Sequence, residues 1–408
     1  MKCRHCASEL TLTLADLGSA PPSNYYLTNH ALHVPEKWFP LRVLVCERCW
    51  LVQTEDFAQA DELFDADYAY FSSFSSSWLA HAEHYVSEMV ELLGLSSHSH
   101  VVEIAANDGY LLQYVLARGI PCVGIEPTAS TAASARAKGI SIVDEFFGVR
   151  LAQQLTSEGK QADLMVANNV LAHVPDINDF VSGFVGLLKE DGVVTFEFPH
   201  LLNLVAQTQF DTIYHEHFSY LSLTAVQRIF SVNGLEVFRV DELPTHGGSL
   251  RVFAQRSVSG KRPIEVSVAR ILALESAAGI QKAEYYRNFQ ARTNRIKYDL
   301  TRFLLDAQRD GKTVAAYGAA AKGNTLLNYA GIRADLVSFV VDRNPVKQGK
   351  FMPGSRIPIV AEEKLKVAKP NYILILPWNL RAELTQQLAY VEDWGGKLVT
   401  AVPSLQIV

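Results

Sequence analysis

At 408 residues the chain exceeds one ordinary domain, and two or three are expected. Hydrophobic residues make up 49% and charged residues 20%, a globular balance, and a net charge of -6 gives nucleic acid no electrostatic foothold. No run of eighteen apolar residues offers a membrane span, and the opening MKCRHCASEL has no apolar stretch of a secretory signal, so a cytoplasmic protein is expected.

Residues 1–65 form a first unit. It holds two cysteine pairs, Cys3-x-x-Cys6 and Cys46-x-x-Cys49, a turn at Ala20-Pro21-Pro22 and a strand candidate at Leu41–Val45. A unit this small, with few helix signals, can hardly bury a stable core unaided, and a structural metal would supply what the core lacks. Two thiolates three residues apart chelate from one tight turn, and two such turns make a tetrahedral four-thiolate zinc site. A redox CxxC would need only one pair and a thioredoxin-like context. With all four positions filled by protein, this metal is structural rather than catalytic. Cys122, in the apolar run PCVGIE, reads as an inert thiol and His5 as a bystander.

From residue 66 to about 260 strands and helices alternate. WLAHAEHYVSEMVELLG reads as an amphipathic helix, followed by VVEIA (strand), DGYLLQYVLAR (helix, closed by Gly119), CVGIE (strand) and STAASARAK (helix, closed by Gly139). SIV, ADLMVAN and VVTFEF continue as strands, with the helix DINDFVSGFVGLLKE before the last. Strands spaced by helices imply βαβ units and a parallel sheet. After a helix near 223–232, LEVFRVDEL and SLRVFAQRS read as a closing strand pair around Pro244–Gly248.

Three segments of this unit carry chemistry. In VVEIAANDGYLL, Glu103 ends the first strand and Gly109 permits close backbone approach; Glu126 ends the second strand, where a cofactor ribose presents its hydroxyls. Dinucleotide enzymes and methyltransferases share that geometry, but a pyrophosphate requires G-x-G-x-x-G and the matching positions here are Ala105, Asn107 and Tyr110. An acidic first strand end also suits a sulfonium amino acid better than a diphosphate, which favours S-adenosylmethionine over NAD. ADLMVANNVLAHV ends in Asn168-Asn169 and leads to His173, resembling the adenine-side motif of class I methyltransferases. FDTIYHEHFSYLS has its histidines two residues apart, which excludes the helical H-E-x-x-H zinc site. If extended, His215 and His217 share a face and Glu216 points away; if irregular, Tyr214, Glu216 and His217 converge on a pocket. Histidine is the commonest general base near neutral pH. THGGSLR adds His246 on a loop at the same sheet end.

Residues 261–408 begin with helical periodicity over 262–310 and then open a second α/β unit, with strands at TVAAYG, LVSFVVD, YILILPW and KLVTAVP. In YGAAAKGNTLLNY a strand runs through small residues and Lys322-Gly323 into a helix opened by Asn324, an arrangement suited to phosphate. Asp342 ends the next strand, and DRNPVKQGKFMPG supplies Lys347 and Lys350.

The paired CxxC motifs, YFSSFSSSW, EIAANDGYLL, EFPHLLNL, YHEHFSYL, THGGSLRV, GAAAKGN and DRNPVKQGKFMPG together resemble the sugar C-methyltransferases that build branched-chain deoxysugars on nucleotide carriers. Related enzymes more often carry Gly where this chain has Ala105. The resemblance implies an α/β chain in three parts: a small N-terminal zinc-binding module, a class I methyltransferase (Rossmann-like) central domain and a C-terminal α/β Rossmann-like domain. It also implies a TDP- or GDP-linked 4-keto-6-deoxy sugar, methylated at C3 or sometimes C5, on a monomer or homodimer. His217 would be the base, Glu216 its partner or a substrate contact, and Tyr214 with Tyr68 or Tyr70 would sit near the enolate. Glu103, Ala105, Asn107, Asp108, Gly109, Glu126, Pro127, Asn168, Asn169 and His173 would hold the cofactor. Phe71, Ser72, His215, His246, Gly247, Lys322, Asn324, Asp342 and Lys347 would face the substrate. Two Rossmann-like halves keep an NAD-dependent sugar oxidoreductase as the alternative.

Overall fold

The computed structural model describes residues 1–57 and 71–407; the candidate tyrosines Tyr68 and Tyr70 fall outside these residues. The chain opens with three antiparallel strands, β1 (Leu12–Ala20), β2 (Phe39–Val45) and β3 (Val52–Thr54). Leu41, Val43 and Val45 alternate along β2 and are all buried, the period-two pattern of a covered sheet face.

The helix Ser76–Leu93 starts where the Ser75 side chain accepts a hydrogen bond from the Trp78 amide and ends at Gly94, at φ 63°. Ala82, Tyr85, Val86 and Met89 form its buried stripe. It leads into β4 (Val101–Ile104), β5 (Cys122–Ile125), β6 (Ile142–Val143), β7 (Ala162–Asn168) and β8 (Leu188–Pro199), all mutually parallel. β9 (Ser219–Tyr220) leaves this sheet and pairs antiparallel with β3, so a strand from the middle of the chain completes the N-terminal sheet. β10 (Leu235–Leu243) and β11 (Ser249–Arg256) return as a hairpin, giving the order β10-β11-β8-β7-β4-β5-β6. That order, with β11 antiparallel to β8, is the class I methyltransferase arrangement. The order of strand addition reverses between β4 and β7, and the crevice at their carboxyl ends is where such sheets bind ligands.

The C-terminal sheet contains β12 (Val314–Tyr317), β13 (Val340–Val341), β14 (Ile359–Val360), β15 (Tyr372–Ile375), β16 (Lys397–Thr400) and β17 (Gln406–Ile407), ordered β14-β13-β12-β15-β16-β17 and parallel except for β17. Two local expectations are corrected, and one helix lies where none was expected. A helix at Val149–Ser157, burying Leu151, Ala152 and Leu155, links β6 to β7. The helix expected to reach Glu190 ends at Leu187, and β8 begins at Leu188. The helix after β12 opens at Ala321, not Asn324.

Among the described residues the N-terminal unit builds no core of its own. Leu14, Leu41 and Val43 share a cluster with Leu300, Leu304, Val314 and Leu326 of the C-terminal unit, while Cys3, Cys46 and Leu51 pack with the central sheet. Apolar burial that sixty residues cannot achieve alone is obtained by dividing the module between two neighbours. Among the described residues no helix is long and apolar enough to cross a membrane.

Candidate active site

The four cysteines converge at one end of the N-terminal sheet, with all four sulfurs within 4.8 Å of one another. The two turns share a construction: the Ala7 and Trp50 amides close back on the Cys3 and Cys46 carbonyls, and both residues take positive φ, 58° and 64°. Cys3 and Cys49 lie 3.5 Å apart, as do Cys6 and Cys46, and Gln53 Nε2 donates to Cys3 Sγ at 3.3 Å. Zn–S bonds of about 2.3 Å in a tetrahedron separate sulfurs by roughly 3.8 Å, so four thiols at this spacing fit zinc. His5 stands outside the set, bonded to Asn178.

A cavity of about 510 Å³ opens at the carboxyl ends of β4 and β7 and extends to the C-terminal unit. On its central-sheet side the loop after β4 winds through positive φ at Ala105 (56°), Asn107 (49°) and Gly109 (76°), which shortens the expected helix to Leu112–Leu116. At the φ of Gly109 an L side chain is strained, and an added Cβ would also lie 2.4 Å from Ile140 Cδ1 and 3.2 Å from Ala135 Cβ, so glycine suits the close approach of the loop to its neighbour. Glu126 accepts the Asn107 and Thr128 amides, both at 2.9 Å, and its carboxyl is raised by burial. Ala105, Asn107, Glu126, Pro127, Asn168, Asn169 and His173 all reach the cavity. Both polar atoms of the Asn168 side chain are buried without a hydrogen-bond partner, which fits a bound ligand edge. Together with the Glu126 carboxylate and the apolar wall of Ile104, Phe147 and Val170, this donor set fits a nucleoside such as S-adenosylmethionine.

Glu103, Asp108 and Gly109 support the loop from below rather than lining the cavity. Burial raises the Glu103 carboxyl well above the usual range. Asp108 accepts from the Ser73 amide at 3.3 Å and from its hydroxyl, while Asn107 Oδ1 accepts the Ser72 amide at 2.9 Å, tethering Ser72 and Ser73 to the cofactor loop. Ser72 lines the cavity; Phe71 instead packs on Phe74.

On the opposite side, residues 213–218 are irregular. His217 Nδ1 lies 2.8 Å from the Thr212 carbonyl, which can only accept, so Nδ1 carries the hydrogen. Nε2 therefore accepts from the Tyr214 hydroxyl at 2.7 Å. Burial, with His173 beside it, holds His217 well below the ordinary histidine range. His173, its ring 4.7 Å away, and His246 are each lowered to about 4, chiefly by burial. The site is thus lined by neutral imidazoles at pH 7.

His215 turns the other way, against the Phe39 and Pro40 carbonyls at 3.2 and 3.1 Å, and does not reach the cavity. Glu216 does not line it either: both carboxylate oxygens accept from Asn24 Nδ2. His246 lines the cavity and leans on Trp78, whereas Gly247 is packed against Trp378 and Gln209.

From the C-terminal unit, Lys322 and Lys347 enter the cavity. Lys322 donates to Asn379 Oδ1 at 2.9 Å and lies 4.9 Å from the Trp378 ring; burial lowers its pKa, opposed by Asp211. Asp211, raised by burial to about 6, accepts the Trp378 indole at 2.7 Å. Asn324 is fully buried in the helix body and Asp342 accepts the Ala319 amide at 2.8 Å; neither lines the cavity. Asn24, Trp78, Asp211 and Trp378 were not singled out from the sequence: Asn24 lies outside any motif, Trp78 and Asp211 stand at the edges of YFSSFSSSW and FDTIYHEHFSYLS, and Trp378 ends a strand run, so each gains a place at or beside the cavity only when three units meet.

A sheet of this order, a cofactor crevice without a dinucleotide glycine pattern, and a facing histidine–tyrosine pair define an S-adenosylmethionine-dependent methyltransferase. The family models agree: a zinc binding domain matches residues 3–64, a methyltransferase domain 78–240 and a C-methyltransferase C-terminal domain 244–403. The chain belongs to the C-methyltransferase family: it is 34% identical to the C-methyltransferase NovU of Streptomyces niveus across all of this chain and 96% of that relative. The oxidoreductase alternative is thereby set aside. Solved structures similar in part include magnesium protoporphyrin IX methyltransferase from Synechocystis (18% identity, TM-score 0.36, 44% of this chain and 83% of that one). Another is an S-adenosylmethionine-dependent methyltransferase from Clostridium acetobutylicum (10% identity, TM-score 0.36, 45% and 92%).

Proposed function

We propose that the enzyme methylates the carbon next to the ketone, C3, of a nucleotide-linked 4-keto-6-deoxy sugar, by way of an enolate formed at His217. The observation that carries this reading is the neutral His217–Tyr214 pair on the wall of the cavity that the cofactor loop also lines. Carbon beside a ketone becomes nucleophilic only after losing a proton, so a base and a stabiliser of the enolate oxygen are both required. The basic nitrogen is His217 Nε2, reached through the Tyr214 hydroxyl: Tyr214 oxygen takes the substrate proton as its own hydrogen passes to His217. The Thr212 carbonyl, already bonded to Nδ1, holds the resulting imidazolium in place. Lys322 is the cation available to an oxygen that gains charge, and Lys347 with the amides at the start of the helix Ala321–Ala330 suits the diphosphate. Bound S-adenosylmethionine supplies an electrophilic methyl group on a sulfonium. A TDP carrier, which rests on the family resemblance, belongs to the same reading, as do a cytoplasmic location and a monomeric or homodimeric state.

In D₂O, with TDP-4-keto-6-deoxyglucose as probe, the wild type should exchange the proton beside the ketone even without methyl donor. His217→Ala should lose at least a hundredfold in exchange, the lower range for a general base, while binding S-adenosylhomocysteine normally by calorimetry. Wild-type exchange by the variant overturns the assignment.

A further inference from the structure

Asn24 belongs to the N-terminal unit, on the turn that follows Pro21-Pro22, yet it lines the cavity with Tyr214, His217 and Lys347. Its amide nitrogen donates to both oxygens of Glu216, at 2.9 and 2.7 Å, and Glu216 is itself only 1% exposed. A carboxylate accepts and an amide oxygen cannot donate, so this pairing commits the nitrogen of Asn24 and fixes which way the amide faces. The oxygen is what Asn24 has left to offer the cavity. Tyr26 hydroxyl lies 3.5 Å from that oxygen, but its one hydrogen has a better acceptor in the Ala319 carbonyl at 2.6 Å. The neighbouring groups on this side are mainly donors: the ammonium groups of Lys322 and Lys347, and the first amides of the helix Ala321–Ala330. Donors suit a ketone and phosphate oxygens. They cannot receive the hydroxyl hydrogens of a sugar, and His217 Nε2 already accepts from Tyr214.

We propose that Asn24 recognises the methyl acceptor, its amide oxygen accepting a hydrogen bond from a substrate hydroxyl, and that Glu216 is a positioning residue that keeps the oxygen turned inward. This deepens the keto-sugar reading and rests on it. A neutral hydrogen bond of about 1–1.5 kcal/mol corresponds to a roughly five- to tenfold change in affinity.

The test uses the full-length, metal-loaded protein with TDP-4-keto-6-deoxyglucose and its analogues lacking the C2 or the C3 hydroxyl, following KM, deuterium exchange and S-adenosylhomocysteine affinity. Asn24→Ala should raise KM for the hydroxylated probe about five- to tenfold, lower kcat by less, and leave S-adenosylhomocysteine affinity unchanged. It should also abolish the wild-type preference for one of the two hydroxyls. Glu216→Gln frees the amide to turn and should raise KM in the same direction. The double variant should then be no worse than Asn24→Ala alone, a coupling that a purely structural Glu216 would not show. An unchanged KM in Asn24→Ala, or a preference that survives it, overturns the recognition role; fully additive effects overturn the positioning role. Wild-type protein that neither binds nor exchanges any of the probes sinks the keto-sugar reading and this inference with it, whereas exchange by the wild type with an indifferent Asn24→Ala sinks the inference alone.

Discussion

Ala105 holds φ 56° at the point where the cofactor loop leaves β4. An L-residue there places its Cβ against the following carbonyl, which costs roughly 1–2 kcal/mol, and glycine avoids that clash. Glycine also loosens the unfolded chain, which offsets about 0.4–1 kcal/mol of the relief. Ala105→Gly should therefore leave stability unchanged or raise it by up to about 1.5 kcal/mol. Ala106→Gly, at a fully buried neighbour without positive φ, should lower it by at least about 1 kcal/mol. Urea denaturation of both variants decides the matter, and equal losses would show that the Ala105 conformation stores no strain. At this scale the sequence was informative where chemistry repeats at fixed spacing, as in the cysteine pairs and Tyr214–His217. It was less so where direction matters: His215 and Glu216 look interchangeable with His217 in a string, and only the turn separates the one facing β2 from the one facing Asn24.

At the level of elements, the decisive contact is β3 with β9, where Val52 pairs with Tyr220 and Gln53 with Ser219. β9 directly follows the segment Tyr214–His217, and the two-residue strand Ser219–Tyr220 is too short to signal itself by periodicity; nor does a sequence say that its partner lies 160-odd residues earlier. The contact ties the cysteine site to the proposed base. Arg4, between two of the cysteines, donates from its amide to Gln53 at 2.9 Å and from its guanidinium to the Thr54 and Pro175 carbonyls at 3.0 and 3.2 Å. Thr54 hydroxyl in turn donates to the His217 carbonyl at 3.1 Å. Removing the metal with a chelator should thus slow proton exchange at least tenfold while S-adenosylhomocysteine affinity stays within a few-fold, because the cofactor loop hangs from β4 and β5. Thr54→Val, losing one hydrogen bond of about 1 kcal/mol, should slow exchange about fivefold with the metal retained. Exchange that survives chelation, or cofactor affinity that falls in step with it, would show that the link is absent.

Over the whole molecule, alternating strands and helices announced two α/β units, and the strands read from periodicity are present, while the two-residue strands β14 and β17 were not read. How the units dock was not legible, since the cores run across the units and the docking surfaces carry no period of their own. His246 shows the consequence. It sits on the turn between β10 and β11, leans on Trp78 at 5.2 Å and lies beside Gly247, where an added Cβ would come within 2.6 Å of Trp378 in the C-terminal unit. Closure of these parts leaves the side chain half-buried on the cavity wall, and the desolvation lowers its pKa to about 4. An unfolded histidine titrates near 6.5, so between pH 6.5 and 4 the unfolded chain binds the extra proton, and this group's contribution to stability falls as pH falls. Asp211, raised to about 6, acts in the opposite sense, which makes the slope of the wild type alone ambiguous. The difference between variants isolates the histidine. His246→Asn should be less stable than wild type at pH 7.5, and that gap should narrow by roughly 2–3 kcal/mol at pH 4.5, since only the wild type must expel a proton to fold. Denaturation curves at the two pH values measure it, and parallel pH profiles would mean that His246 stays accessible to protons and that the three units do not close over it.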